Sequence, residues 1–322
     1  MSYEDVSRCD LAIEAHEMLC AGSSKDFSVR GVSVEHDDSA GYIKITRVSV
    51  DTEEGARDLQ KAIGNYITIE MPARFYGQQK IYEEMCVVCS KELKNIIDNK
   101  LDDEEATVLV AGLGNWNITA DALGPKVVGS LMITRHLKKY IPEEIDEGIR
   151  PVCAIAPGVL GLTGIETEEI IKGVCEQVKP NLVIVIDALC SGRVERINTT
   201  IQITDTGISP GAGVGNNRKK IDKNTLNVPV IAIGVPTVVD AATIAAAGIE
   251  LLKDEIDEEF KKMTNIEQYD RIKEMLSPEF GNMIVAPKDV DNIIDDISSV
   301  IANGINISLH KGITLADIDK YV

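Results

Sequence analysis

Asp121 and Asp187 stand sixty-six residues apart, each just past a run of buried-strand character. TVLVAGL (107–113) leads into GNWNITADALGP, which carries Asp121, and NLVIVID (181–187) leads into DALCSGRVER. The β-branched apolar run Val183 to Ile186 reads as a strand buried on both faces, expected to end at Asp187. In open α/β sheets, ligands bind beyond the carboxyl ends of the strands. Two carboxyl groups facing one cavity cannot both ionise cheaply. One keeps its proton and the other acts as base on a water, so such a pair can hydrolyse a peptide bond without metal or histidine. Each aspartate also has a bland reading. Asp121 could occupy the first turn of a helix, where the dipole favours an anion, and Asp187 could pair with Arg193 or Arg196.

Other chemistries fit less well. Gly112-Leu113-Gly114 follows a strand, but Asn117 occupies the third position of a dinucleotide fingerprint, and no strand-end acid follows. The four histidines, His16, His36, His136 and His310, lie outside the strand-end loops, and there is no G-x-S-x-G elbow for a serine nucleophile. Cys86 and Cys89 form a lone C-x-x-C at helical apolar spacing, which suits core packing better than a metal. Ile203–Gly207 matches the Asp-Thr-Gly signature of pepsin-like proteases, but it occurs once and in an α/β setting, so it reads as a turn.

The 322 residues carry 33 Lys plus Arg against 52 Asp plus Glu, a net charge of −19. Such a chain repels phosphate backbones and anionic membranes. Aromatic residues make up only 4%, so the core is aliphatic. Seven cysteines without framework spacing, no signal-like segment and no long apolar run give the expectation of a cytoplasmic protein with reduced thiols. Residues 1–25 show no sustained period and read as a segment ahead of the domain. FSVRGVSVEH and YIKITRVSV predict a hairpin, TEEGARDLQKAIG a short helix, NYITIEM a strand and residues 78–99 a long helix. Strands are predicted at 107–113, 151–157, 181–187, 197–204, 228–235 and 282–287. Helices are predicted in KVVGSLMITRHLKKYI, ETEEIIKGVCEQV, TVVDAATIAAAGIELL and DVDNIIDDISSVIANGINISL. The alternation implies a single α/β domain with a mainly parallel sheet between helices, an N-terminal β-rich portion, and a charged helical excursion at 253–280. NTTIQIT alternates and is expected to be an edge or antiparallel strand.

GLGNWNITADALGPK, LMITRHL, RPVCAIAPGVLGLTGIET, IDALCSGRVERINTTIQITDTGISPGAGVGN, VPVIAIGVPTVVDA and MIVAPKDVD together resemble the germination protease of spore-forming bacteria, an atypical aspartic endopeptidase family. The resemblance spans nearly the whole chain. It implies an α/β/α sandwich like that of hydrogenase-maturation proteases, a homotetramer, no cofactor or metal, and catalytic aspartates at Asp121 and Asp187. The implied substrates are small acid-soluble spore proteins, degraded at germination in the spore core. The implied zymogen loses residues 1–10 by its own cut between Asp10 and Leu11, leaving 11–322 as the protease domain. Asp10-Leu11-Ala12-Ile13-Glu14 then reads as a tethered substrate. Asn115, Asn117 and Arg193 are candidates for positioning substrate, and the N–H groups of the Gly158–Gly164 loop, with Gly158 and Gly161, for holding the oxyanion. Two other readings stay open: a metal-dependent maturation-type protease, and a binder of spore proteins that does not cut them.

Overall fold

The computed structural model describes residues 10–21, 29–72, 78–211, 218–251, 263, 267–269, 271–272 and 284–318. Its elements, in chain order, begin with α1 (Ala12–Ala21), β1 (Val32–Asp37), β2 (Lys44–Val50), α2 (Glu53–Leu59), β3 (Gly64–Glu70) and α3 (Gln79–Asp98). The strand–helix alternation follows: β4 (Val108–Gly112), α4 (Leu123–Gly129), α5 (Arg135–Tyr140), β5 (Val152–Ile155), α6 (Leu160–Thr163), α7 (Thr167–Val178) and β6 (Leu182–Ser191). Then come β7 (Thr200–Thr204), α8 (Lys223–Leu226), β8 (Val230–Asp240), α9 (Ala241–Leu251), β9 (Ile284–Val285), α10 (Val290–Leu309) and α11 (Leu315–Ile318).

The nine strands among the described residues join one sheet, ordered β1-β2-β3-β7-β8-β6-β4-β5, with β9 beside β8. The half β8-β6-β4-β5 is parallel. The half β1-β2-β3-β7 is antiparallel, and β7 also meets β8 antiparallel. The N-terminal β-rich portion therefore extends the same sheet, with β7 as the antiparallel join at its centre.

Alternation along the strands sorts the core onto two faces. Val108, Val110, Ile184, Ile186, Ile231 and Ile233 pack under α3, α4 and α10. Leu109, Ala111, Val183 and Val185 pack under α7, while Val48, Val50, Tyr66 and Leu189 pack under α1 and α2. The stripe Met85, Cys86, Cys89, Leu93, Ile96 and Ile97 turns α3 inward. Cys89 sits against Gly304 of α10, where an added Cβ would fall 2.8 Å from its sulfur. Burial pushes the thiols of Cys86 and Cys89 up to about 11 and about 12, so both are packing groups at neutral pH.

Four sequence readings need correction. Residues 12–21 form a helix, not a structureless lead-in. Its burial is concentrated at Leu11, Ala12, Ile13 and Ala15, so it docks by its first turn and shows no helical stripe in sequence. β6 does not stop at Asp187 but runs to Ser191, because β8 continues beside it to Asp240. Pro236 in β8 reads as a strand end. It pairs with Leu189, and the register shifts immediately after that pair. The helix expected from Thr237 therefore starts only at Ala241. The helix expected over 126–141 is two helices. Between them Thr134 hydrogen-bonds along β5: its N–H donates to Val152 O at 3.1 Å and its hydroxyl accepts from Val152 N at 2.9 Å. The strand expected at 282–287 is described only as Ile284–Val285, and the excursion at 253–280 lies almost wholly outside the described residues.

His310, at the end of α10, is buried and accepts the Arg150 N–H on Nδ1 at 3.2 Å. Burial lowers its pKa to about 4. The unfolded chain takes up that proton first. The stability from a neutral His310 is thus fully present above pH ~6.5 and is lost as pH falls toward ~4, on the order of 3 kcal/mol. Urea midpoints measured from pH 7 to 4 should fall less steeply in His310→Gln than in the parent chain.

Candidate active site

Three parallel strands bring the two aspartates together. After β4, Leu113 N–H still bonds Ile186 O at 2.8 Å, and the chain then leaves the sheet. It returns through a 3-10 turn at Thr119–Asp121 that packs against β6 and β8. Thr237 of β8 pins this turn by donating its hydroxyl to Ala120 O at 2.7 Å. Asn115 N–H closes the loop, bonding both the Asp121 carbonyl and its Oδ2 at 3.0 Å. Gly114 makes the closure possible. It has φ +115°, and a Cβ there would lie 1.9 Å from Asp121 O. We expect Gly114→Ala to shift Asp121 and lower any activity that depends on it by ~10²-fold, with the chain still folded by circular dichroism.

Asp187 lies mid-strand on β6, opposite Gly234 of β8. By alternation it shares the face of Val183 and Val185, in the gap between the α7 layer and the α1–α2 layer. It is 5% exposed, and Ala188 N–H donates to its Oδ1 at 3.0 Å. Burial first, then the negative charges of Asp121 and Asp10, hold its carboxyl well above the usual range. Asp121 is less deeply buried. Burial raises its pKa too, while the Asn115 N–H and the Arg218 charge act against the rise. Arg218 also favours ionisation of Asp187, and its Nη1 is buried with no hydrogen-bond partner among the described residues.

Asp10 completes this cluster. Its Oδ2 accepts Cys190 N–H at 2.9 Å, and its carbonyl accepts Lys61 Nζ at 3.1 Å and Gln202 Nε2 at 3.4 Å. Leu11 and Ala12 are fully buried. Glu14 is 1% exposed, with its carboxylate on Ser191 Oγ (3.0 Å) and Gly192 N–H (2.9 Å), and Arg196 at 3.8 Å. Glu17 takes two hydrogen bonds from Arg196, at 2.7 and 3.0 Å, and an ion pair with Arg193 at 3.2 Å. Arg193 and Arg196 are thus engaged with α1, not with Asp187.

The other expected site residues are more scattered. Asn115 positions Asp121 through its backbone, and its side chain accepts Asn117 N–H at 3.0 Å. Gly158 and Gly161 follow β5, the sheet edge, which β4 separates from β6. Gly158 O accepts the Thr167 hydroxyl at 3.3 Å. Asp205 of the Asp-Thr-Gly stretch bonds Asn65 N–H at 2.8 Å and Lys100 Nζ at 2.8 Å. Burial opposes its ionisation, but those two partners outweigh it and hold its carboxyl below the usual range. Sequence reading missed Lys61, Gln202 and Arg218. Gln202 carried one signal, a lone polar side chain between Ile201 and Ile203.

The family model described as germination protease matches residues 12–269 and 260–322. The chain belongs to the germination protease family. It is 51% identical to the germination protease of Clostridium tetani, over 98% of this chain and 99% of that one. It is 41% identical to the germination protease of Bacillus subtilis, over 98% and 96%. A [NiFe] hydrogenase maturation protease of Thermococcus kodakarensis matches with 14% identity and a TM-score of 0.31, covering 65% of this chain and 98% of that one. Family membership makes the chain a protease, and among the described residues no helix is long and apolar enough to cross a membrane.

Proposed function

We propose that this germination-family protease is made as a zymogen, cuts its own chain between Asp10 and Leu11, and then opens small acid-soluble spore proteins at similar acid-apolar-Ala-x-Glu sequences. Asp121 and Asp187 carry the hydrolysis. Asp187, the more buried and the one facing two other carboxylates, holds the shared proton, while Asp121 takes a proton from the attacking water. As a pair they titrate together, so their pH profile belongs to both. No metal takes part, and the enzyme works as a homotetramer in the developing spore and spore core. One observation carries the reading: the segment Asp10–Glu14 is seated like a bound peptide, with the Asp10 carboxylate on Cys190 N–H of the Asp187 strand, its charge acting on Asp187, and Glu14 in a polar pocket.

The test is to incubate the full chain, then add a small acid-soluble spore protein and weigh the fragments. The reading expects an N-terminus at Leu11 and cuts after an acidic residue, unaffected by chelators. An intact spore protein bound to an uncut chain would favour the binder instead, and loss of cleavage in chelator would favour the metal-dependent protease. Light scattering at micromolar concentration tests the tetramer.

A further inference from the structure

The proposed cut makes the Asp10 carbonyl carbon the atom that water attacks. Lys61 Nζ, at 3.1 Å, and Gln202 Nε2, at 3.4 Å, both reach the oxygen of that carbonyl. The other end of the Gln202 amide, Oε1, accepts Ala12 N–H at 2.7 Å. One side chain therefore straddles the Asp10–Leu11 bond, gripping the carbonyl before it and the N–H of the following peptide unit. Both groups stand on firm supports. Gln202 is 6% exposed in β7, between Thr68 of β3 and Gly234 of β8. Lys61 follows Gln60, whose left-handed conformation (φ 51°) ends α2, and Lys61 N–H closes that turn on Ala56 O at 3.2 Å.

We infer that Lys61 and Gln202 form the oxyanion-holding pair of this protease, a role the sequence had suggested for the Gly158–Gly164 loop. The inference rests on the proposed cleavage between Asp10 and Leu11. In the addition step, the water oxygen bonds to the carbonyl carbon, its proton passes to the ionised aspartate, and the C=O electron pair moves onto the carbonyl oxygen. Collapse restores the C=O, breaks the C–N bond and delivers a proton from the aspartate pair to the leaving nitrogen. A carbonyl oxygen has two lone pairs, and both meet donors here. As that oxygen becomes an alkoxide, its attraction to the Lys61 ammonium grows far more than its attraction to a neutral amide. Lys61 is therefore the group that favours the transition state over bound substrate, and Gln202 sets the register of the bond. A peptide supplied in trans would meet the same two groups once residues 11–17 withdraw from the groove.

The experiment compares Lys61→Met, Lys61→Arg, Gln202→Leu and Asp187→Asn in the full chain. Three quantities are measured: self-cleavage by mass, cleavage of a peptide copying residues 5–18, and affinity for that peptide with a phosphinate in place of the scissile amide. Lys61→Met should lower kcat by ~10²–10³-fold with KM little changed and weaken the phosphinate by a similar factor, and Lys61→Arg should recover part of both. Gln202→Leu should raise KM more than it lowers kcat, because its grip is made on bound substrate and transition state alike, and Gln202→Glu, which replaces the donor by an acceptor at constant shape, carries that expectation should the apolar variant fail to fold. A Lys61→Met chain that cuts the peptide at the parent rate, or cuts itself faster, overturns the inference and makes Lys61 a latch on the zymogen segment. If Asp187→Asn still cleaves while Lys61→Met does not, the aspartate reading falls and the oxyanion pair stands. The reverse result removes the oxyanion pair alone.

Discussion

Asp187→Asn is expected to stop self-cleavage and peptide cleavage by ~10⁴-fold, the upper end of what a positioned acid or base contributes, while making the chain more stable at neutral pH. The two effects share one cause. Burial, and the charges of Asp121 and Asp10, make the folded chain bind the Asp187 proton more tightly than the unfolded chain does. The stability from that preference is fully present below the ordinary carboxylate pKa of ~3.9 and disappears as pH rises through the folded value. Above it, the folded state carries a buried anion that Asn does not have. Melting curves should therefore place Asp187→Asn above the parent at pH 8 and bring the two together near pH 4. Asp121→Asn should lose cleavage equally but gain less stability, because Asp121 is less buried. Asp205→Asn should keep cleavage, since its carboxylate serves Asn65 and Lys100. Loss of cleavage only in Asp205→Asn would reassign the catalytic acid.

Arg196→Met should unseat α1. Arg196 is 7% exposed and holds Glu17 at 2.7 Å and Glu70 at 3.3 Å, with Glu14 at 3.8 Å. Removing one member of a buried ionic cluster leaves carboxylates desolvated and unpaired, which costs about 3–5 kcal/mol. Hydrogen exchange of the α1 amides, followed in the uncut Asp187→Asn background, should then speed up by ~10²–10⁴-fold at pH 7. Burial, against the Gly192 N–H and the Arg196 charge, already raises the Glu14 pKa, so acid should neutralise Glu14 early and narrow the difference. In the otherwise unaltered chain the same substitution should slow self-cleavage, because the scissile bond loses its downstream anchor. Unchanged α1 protection would mean that the apolar contacts of Leu11, Ala12 and Ile13 hold the segment without the arginine.

The parallel half of the sheet was legible because its strands, buried on both faces, read as continuous runs such as Val183–Ile186. The hairpin and the long helices were equally plain from their periods. The strand extensions were not. Pro236 ordinarily closes a strand, and only the pairing of β8 with β6 and β7 shows why the chain continues past it. Helix α1 was hidden because it buries consecutive residues at one end, and tertiary contact alone reveals that. The aspartates could be singled out because acids next to buried strands are rare. Lys61 could not, and Gln202 showed only as a polar residue between two isoleucines, since both gain a role only by meeting the Asp10 carbonyl from 51 and 192 residues away.

Asp121 and Asp187 are proposed to share one proton beside the Asp10–Leu11 bond. Carbon-13 NMR of aspartate carboxyl groups, assigned through the two Asn variants and followed from pH 3 to 9, tests it most directly. A shared proton would give a coupled two-step titration in which Asp187 remains protonated well above the ordinary carboxylate range and drops toward that range in Asp121→Asn. Two independent titrations near pH 4, each unmoved by substitution of the other residue, would contradict it.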